Sequence, residues 1–86
     1  MKTTLFCYDL KKLDTPTKNK FRKALLGHHD NSHNKKYYYK RDGLLQKIWH
    51  QKPIRSVIIV KEQDAQEIKT LFEQFSVLFF QYAIDI

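Results

Sequence analysis

One carboxylate stands where the first apolar run of the chain ends, and its position could serve to hold a divalent cation. Asp9 follows the apolar residues of the run 4–10, and Lys11 and Lys12 come directly after it. An acid at the centre of a small sheet would lie at a dimer seam or in an open cleft, where a bound cation would meet an anionic partner. The alternative is that Asp9 only caps or pairs locally at the end of a strand.

Three histidines form a second candidate cluster, in a polar segment. His29 and His33 are four residues apart, a spacing that can hold zinc on one face of a helix. Gly27 and Asp30 argue against a helix here, and no cysteine accompanies the histidines. We therefore expect a solvated loop or a phosphate contact at His28, His29 and His33 rather than a metal site.

Positive charge is concentrated in one part of the chain. The formal net charge is +7, and residues 11–55 carry +10 while residues 56–86 carry −3. With the adjacent tyrosines 37–39, this one-sided field favours nucleic-acid binding over a merely solvated basic surface. The tyrosines could stack bases, although packing within a sheet is the alternative. The residues predicted to contact nucleic acid are Lys11, Lys12, Lys18, Arg22, Lys35, Lys36, Tyr38, Lys40 and Arg41.

The length and composition predict one small domain, residues 1–86. A chain of this length buries only about 60–65% of its unfolded surface, and dimerisation is a common remedy for such a marginal core. The lone Cys7 excludes an internal disulfide, fits a reducing compartment and is expected to pack in the core. No apolar stretch approaches the roughly 20 residues of a membrane span, and the N-terminus lacks a signal-peptide pattern. We therefore expect a soluble, cytoplasmic protein.

Turn residues and hydrophobic spacing divide the chain into alternating strands and helices. Thr15 is expected to cap the first helix with Pro16 in its first turn, and Asp64 with Glu67 resembles a capping box at the second. The predicted segments are a strand at 3–10, a helix from Thr15 to Gly27, a polar loop at 28–36, a strand at Tyr37–Arg41, one or two helical turns at 44–49, a buried strand at Ile54–Lys61, a helix from Asp64 to Phe75 and a strand at Ser76–Ile84.

The order βαββαβ predicts a ferredoxin-like α+β domain, with an antiparallel sheet and two helices on one face. The first and third strands are expected at the centre, and the last strand must lie centrally or pair with another chain. The other face would be bare, and it would either stack bases or be covered by a partner subunit. Alternate residues would line it, such as Phe6, Tyr8, Tyr38, Phe79 and Tyr82, or their neighbours.

Two segments carry a resemblance to a known family. The residues Leu5-Phe6-Cys7-Tyr8-Asp9-Leu10 are close to the apolar-Tyr-Asp-Ile/Leu opening of the Cas-two family of CRISPR-associated adaptation proteins. The basic segment 18–27, which ends in Gly27, is similar to the first helix of that family. The element order and the size of the chain also fit.

The resemblance implies a symmetric dimer in which the first-strand acids face each other across the two-fold axis. Some members of the family are described as Mg²⁺-dependent nucleases on RNA or DNA, and others as scaffolds that hold DNA for the adaptation integrase. Asp9 matches the family acid, so it is the expected catalytic residue and Mg²⁺ ligand. Mg²⁺ prefers hard oxygen ligands, and Lys11, Lys12 or Arg41 could steady the scissile phosphate.

Three function classes follow. The first is a dimeric Cas-two-like protein of CRISPR adaptation, either an endonuclease or a scaffold. The second is a non-enzymatic, nucleic-acid-binding ferredoxin-like module that uses only its basic segment and aromatic residues. The third is a protein-interaction domain that uses its last strand.

Overall fold

The computed structural model describes residues 1–31 and 38–86, with the backbone alone at 29–31 and 38–41. Neither of the helices described is long and apolar enough to cross a membrane. The strands are β1 (Lys2–Asp9), β2 (His28–Asn31), β3 (Tyr38–Arg41), β4 (His50–Gln51), β5 (Val57–Lys61) and β6 (Leu78–Asp85). The helices are α1 (Thr15–Leu26) and α2 (Ala65–Gln74), with short 3₁₀ helices at Leu44–Lys47 and Glu62–Asp64.

The main sheet has four strands in the order β4-β5-β1-β6, and every neighbouring pair is antiparallel. β1 and β5 lie at its centre, as predicted. Phe6 of β1 stands opposite Ile58 of β5 and opposite Gln81 of β6. This arrangement is an α+β fold compatible with the ferredoxin-like order, so the predicted fold class is confirmed.

The core lies between this sheet and the two helices, which cover the same face. Phe6 and Tyr8 are two residues apart on β1, so their side chains point to one face. The ring of Phe6 lies 5.5 Å from that of Phe72 of α2, and the ring of Tyr8 lies 5.8 Å from that of Phe21 of α1. Phe21 and Phe72 also touch each other, with 5.7 Å between ring centroids. The apolar side chains that recur at helical spacing in α1 and α2 therefore pack into one common core.

The second predicted strand belongs to a separate hairpin and not to the main sheet. Tyr38–Arg41 pairs with His28–Asn31 in a two-stranded sheet. The loop predicted over 28–36 is therefore wrong at residues 28–31, and residues 32–37 lie outside the described part. A hairpin is held by backbone hydrogen bonds, so a polar segment can form one of its strands. The place beside β5 is taken instead by the two residues of β4.

Both helix starts differ in detail from the prediction. Asp14, not Thr15, is the N-cap of α1, and its carboxylate accepts a 2.8 Å hydrogen bond from the backbone N–H of Thr17. Asp64 precedes α2 but makes no capping hydrogen bond. The 3₁₀ turn runs straight into α2 and gives Asp64 a helical backbone, whereas a capping residue needs an extended one.

The face of the main sheet opposite the helices is called the open face below, and it carries the odd-numbered residues of β1. The even-numbered residues of β6 are paired with these odd-numbered residues of β1, so Leu5 lies opposite Tyr82 and Cys7 lies opposite Phe80. Phe6, Tyr8 and Phe79 point into the core, so their neighbours line the open face. Cys7 is half-buried there rather than packed in the core. The predicted last strand lies at the sheet edge, not at its centre.

Candidate nucleic-acid interface

A cleft opens where β1 ends, beside α1 and the segment that leads into β5. Antiparallel pairing of β1 with β5 places the residues that follow one strand next to those that precede the other. The backbone N–H of Tyr8 donates a 3.0 Å hydrogen bond to the carbonyl of Ser56, which fixes this juxtaposition. Segments more than forty positions apart in sequence therefore share one wall.

This basic cleft has a volume of about 580 Å³. The described residues form one ion pair, in which the N-terminal amine of Met1 lies 3.0 Å from the carboxylate of Asp85. None of the described carboxylates therefore pairs with a cation of the cleft. Unpaired cations grouped in a concave site attract anions. The charged side chains that line the basic cleft are Asp9, Lys11, Lys18, Arg22, Lys52 and Arg55.

Lys52 is held in place at the wall of the cleft. Its ammonium group donates a 3.3 Å hydrogen bond to the carbonyl of Ile54 and lies 5.9 Å from the centre of the Tyr8 ring. Burial lowers the pKa of Lys52, and the neighbouring guanidinium of Arg55 lowers it further. An anion bound beside Lys52 would relieve this repulsion, since it would stabilise the charged amine.

Tyr8 links the cleft to the core. Its ring packs against Phe21 and lies 5.1 Å from that of Phe72. Burial raises the pKa of the Tyr8 phenol, and the charge of Arg22 opposes that rise. The phenol is therefore neutral near pH 7, as an ordinary tyrosine is, and its hydroxyl can donate a hydrogen bond.

Asp9 is exposed at the mouth of the basic cleft and stands opposite Leu78 on the open face. Its Oδ1 atom accepts a 2.8 Å hydrogen bond from the backbone N–H of Lys11. This local cap is the alternative interpretation of Asp9, and the structure shows it. No group of three His, Cys, Asp or Glu side chains able to hold a metal occurs among the described residues. Around Asp9 the described residues therefore show no such cluster, and Asp9 is the described carboxylate that lines the cleft.

The other residues predicted to contact nucleic acid fall into three groups. Lys12 is exposed in the turn after β1 but does not line the basic cleft. Lys35 and Lys36 lie outside the described residues. Tyr38, Lys40 and Arg41 lie in β3, where the structure describes only the backbone.

The histidine cluster is only partly described. His28 is half-buried at the start of β2, His29 is described by its backbone alone, and His33 lies outside the described residues.

Of the five cations that line the cleft, the sequence singled out Lys11, Lys18 and Arg22 but not Lys52 and Arg55. Lys52 lies just before the central strand predicted at Ile54–Lys61, and Arg55 lies at its predicted start. Antiparallel pairing of that strand with β1 would have placed them beside the end of β1, so the topology already contained the signal.

A scan against models of protein families, a search of curated proteins and a search of solved structures each return no match to this chain.

Proposed function

We propose that this chain is a nucleic-acid-binding protein that acts as a homodimer, in line with its resemblance to the Cas-two adaptation proteins. The observation that carries the proposal is the basic cleft, in which five cations from three segments meet without a described carboxylate partner. A chain of phosphodiesters supplies regularly spaced negative charge that such a groove can follow.

The dimer is supported by the open face. Its residues on β6 include Leu78, Phe80 and Tyr82, whose exposed fractions are 50%, 62% and 56%. Exposed apolar patches of this kind mark interaction sites. The cations of the basic cleft lie at the end of β1 rather than across this face, so a second copy of the chain is a better occupant of the open face than nucleic acid.

A dimer would also provide a candidate metal site for phosphodiester cleavage. Asp9 lies at a position on the open face, so a two-fold axis through this face could bring the Asp9 carboxylates of two subunits together. That pairing would bring two carboxylates together as oxygen ligands for Mg²⁺. Endonuclease activity on RNA or DNA is therefore a prediction that depends on the dimer, whereas binding through the basic cleft does not require it.

The salt dependence of binding tests the proposed function. The logarithm of the affinity for a single-stranded oligonucleotide should fall linearly with the logarithm of the salt concentration, with a slope of about −0.7 for each phosphate contact. The double variant Lys18→Met, Arg22→Met should bind more weakly, and its slope should be shallower by about 1.4.

The matched control is Lys47→Met, Lys69→Met, which removes the same net charge from residues outside the basic cleft. It should keep the wild-type slope. Equal slopes for the two double variants would show that binding depends on net charge alone and would refute the assignment of the cleft. An oligonucleotide affinity that does not change with salt would refute the function itself.

A further inference from the structure

The segment between β4 and β5 carries two cations that line the basic cleft beside Arg22 of α1. We propose that Lys52, Arg55 and Arg22, together with the hydroxyl of Tyr8, form a discrete subsite for one phosphate group. The inference deepens the proposed nucleic-acid function, on which it rests for the source of that phosphate.

The fixed position of the ammonium group of Lys52 is the first argument for the subsite. The hydrogen bond to the Ile54 carbonyl and the contact with the Tyr8 ring hold the ammonium of Lys52 at the wall of the cleft. Lys has three N–H donors, so at least one remains for a phosphate oxygen after these contacts. A donor that is already ordered loses less entropy when it binds a ligand than a freely rotating lysine does.

The geometry of the turn is the second argument. The backbone N–H of Val57 donates a 3.3 Å hydrogen bond to the carbonyl of Ile54, which closes a tight turn around Arg55 and Ser56. Ser56 has a φ of 66°, a left-handed conformation that residues with a side chain seldom adopt. The carbonyl of Ser56 is bonded to the N–H of Tyr8, so the turn that carries Arg55 is anchored to β1.

The types of donor are the third argument. A guanidinium offers paired N–H donors that match two oxygens of a phosphate, and a neutral phenol adds a donor without adding charge. The carboxylate that lines the same cleft, Asp9, lies at its mouth with one oxygen bonded to the backbone of Lys11. The cleft therefore combines one ordered cation, Lys52, and two exposed guanidinium groups with a neutral donor, which suits a tetrahedral anion.

A polynucleotide can supply that phosphate from its backbone or from its terminus, and the chemistry recognised is the same. The experiment therefore uses three probes: inorganic phosphate, a 5′-phosphorylated oligonucleotide and the same oligonucleotide with a 5′-hydroxyl. Binding is measured for the full chain by calorimetry for inorganic phosphate and by fluorescence anisotropy for the oligonucleotides. The variants are Lys52→Met and Tyr8→Phe, with Lys47→Met as the control for loss of one charge.

Lys52→Met and Tyr8→Phe should each weaken phosphate binding by about tenfold, the size expected for one hydrogen bond to a charged group. Methionine keeps an apolar stem over the Tyr8 ring, and phenylalanine keeps the ring contacts in the core, so both variants should fold. Weaker binding of both oligonucleotides assigns the subsite to a backbone phosphate. Weaker binding of the 5′-phosphorylated oligonucleotide alone assigns it to a terminus.

Two outcomes separate failure of the inference from failure of the proposed function. If wild-type protein binds oligonucleotides but Lys52→Met behaves as Lys47→Met does with every probe, the subsite is refuted while the function stands. If inorganic phosphate binds in a manner that depends on Lys52 but neither oligonucleotide binds, the function is refuted while the subsite stands.

Discussion

The substitution Phe80→Thr should dissociate the proposed homodimer without unfolding its subunits. Phe80 lies on the open face with 62% of its surface exposed, so the isolated subunit gains little from burying it. Threonine is β-branched and, like phenylalanine, is favoured in strands, so the substitution removes the aromatic surface while it keeps the strand preference. The variant therefore separates association from folding.

The size of the effect follows from this exposure. Complete burial of a phenylalanine side chain is worth about 1.5–3 kcal/mol, so covering the remaining three-fifths of Phe80 contributes about 1–2 kcal/mol per subunit. In a two-fold symmetric interface each substitution occurs twice, which gives about 2–4 kcal/mol per dimer. The dissociation constant should therefore rise by about 30- to 1,000-fold, since 1.4 kcal/mol corresponds to a factor of ten.

Sedimentation velocity over a series of protein concentrations measures this shift directly. The matched control is Ile54→Thr, because Ile54 is 65% exposed but lies in the turn before β5 rather than in a strand of the sheet. Ile54→Thr should dimerise as the wild type does. A wild-type protein that stays monomeric at every concentration would refute the dimer, and equal dissociation constants for Phe80→Thr and the wild type would place the interface elsewhere.

Two further predictions concern Asp9 and Asp14. Asp9→Asn should abolish any Mg²⁺-dependent cleavage of single-stranded RNA or duplex DNA while leaving the oligonucleotide affinity near that of the wild type; cleavage at the wild-type rate in a gel assay would remove the catalytic assignment. Asp14→Ala should lower the thermal unfolding midpoint at neutral pH, because its carboxylate caps α1. The hydrogen bonds from Thr17 hold the pKa of Asp14 below its ordinary value of 3.8. The stabilisation should therefore be complete above that value and should disappear as the pH falls through the lower folded-state pKa, so a midpoint difference that persists in strong acid would contradict this account.

The sequence singled out those charged residues of the basic cleft that lie on one continuous segment. Asp9, Lys11, Lys18 and Arg22 all lie between the end of β1 and the middle of α1, so local structure alone brings them near one another. Lys52 could not be assigned in this way, because its place beside Tyr8 depends on the pairing of β1 with a strand that is distant in sequence.

The sequence also could not predict on which face of the sheet each aromatic side chain lies, and the reason is different. Side chains alternate along a strand, so a shift of one residue in register moves every side chain to the other face. The even positions of β6 are all apolar, whereas the odd positions include Gln81 and Asp85, so the alternation alone would favour the even positions for the core. Only the pairing of β6 with β1 places Phe79 in the core and Phe80 on the open face.

By itself, the amino-acid sequence determined the two helices, the central strands and the strongly basic character of residues 11–55, because hydrophobic spacing and charge act locally. The tertiary structure decided that Tyr38–Arg41 joins a separate hairpin, that the short β4 takes its place in the main sheet, and that Lys52 and Arg55 meet Arg22 in one cleft. These outcomes depend on contacts between distant segments, which are selected by the packing of the whole core and not by any one stretch of residues.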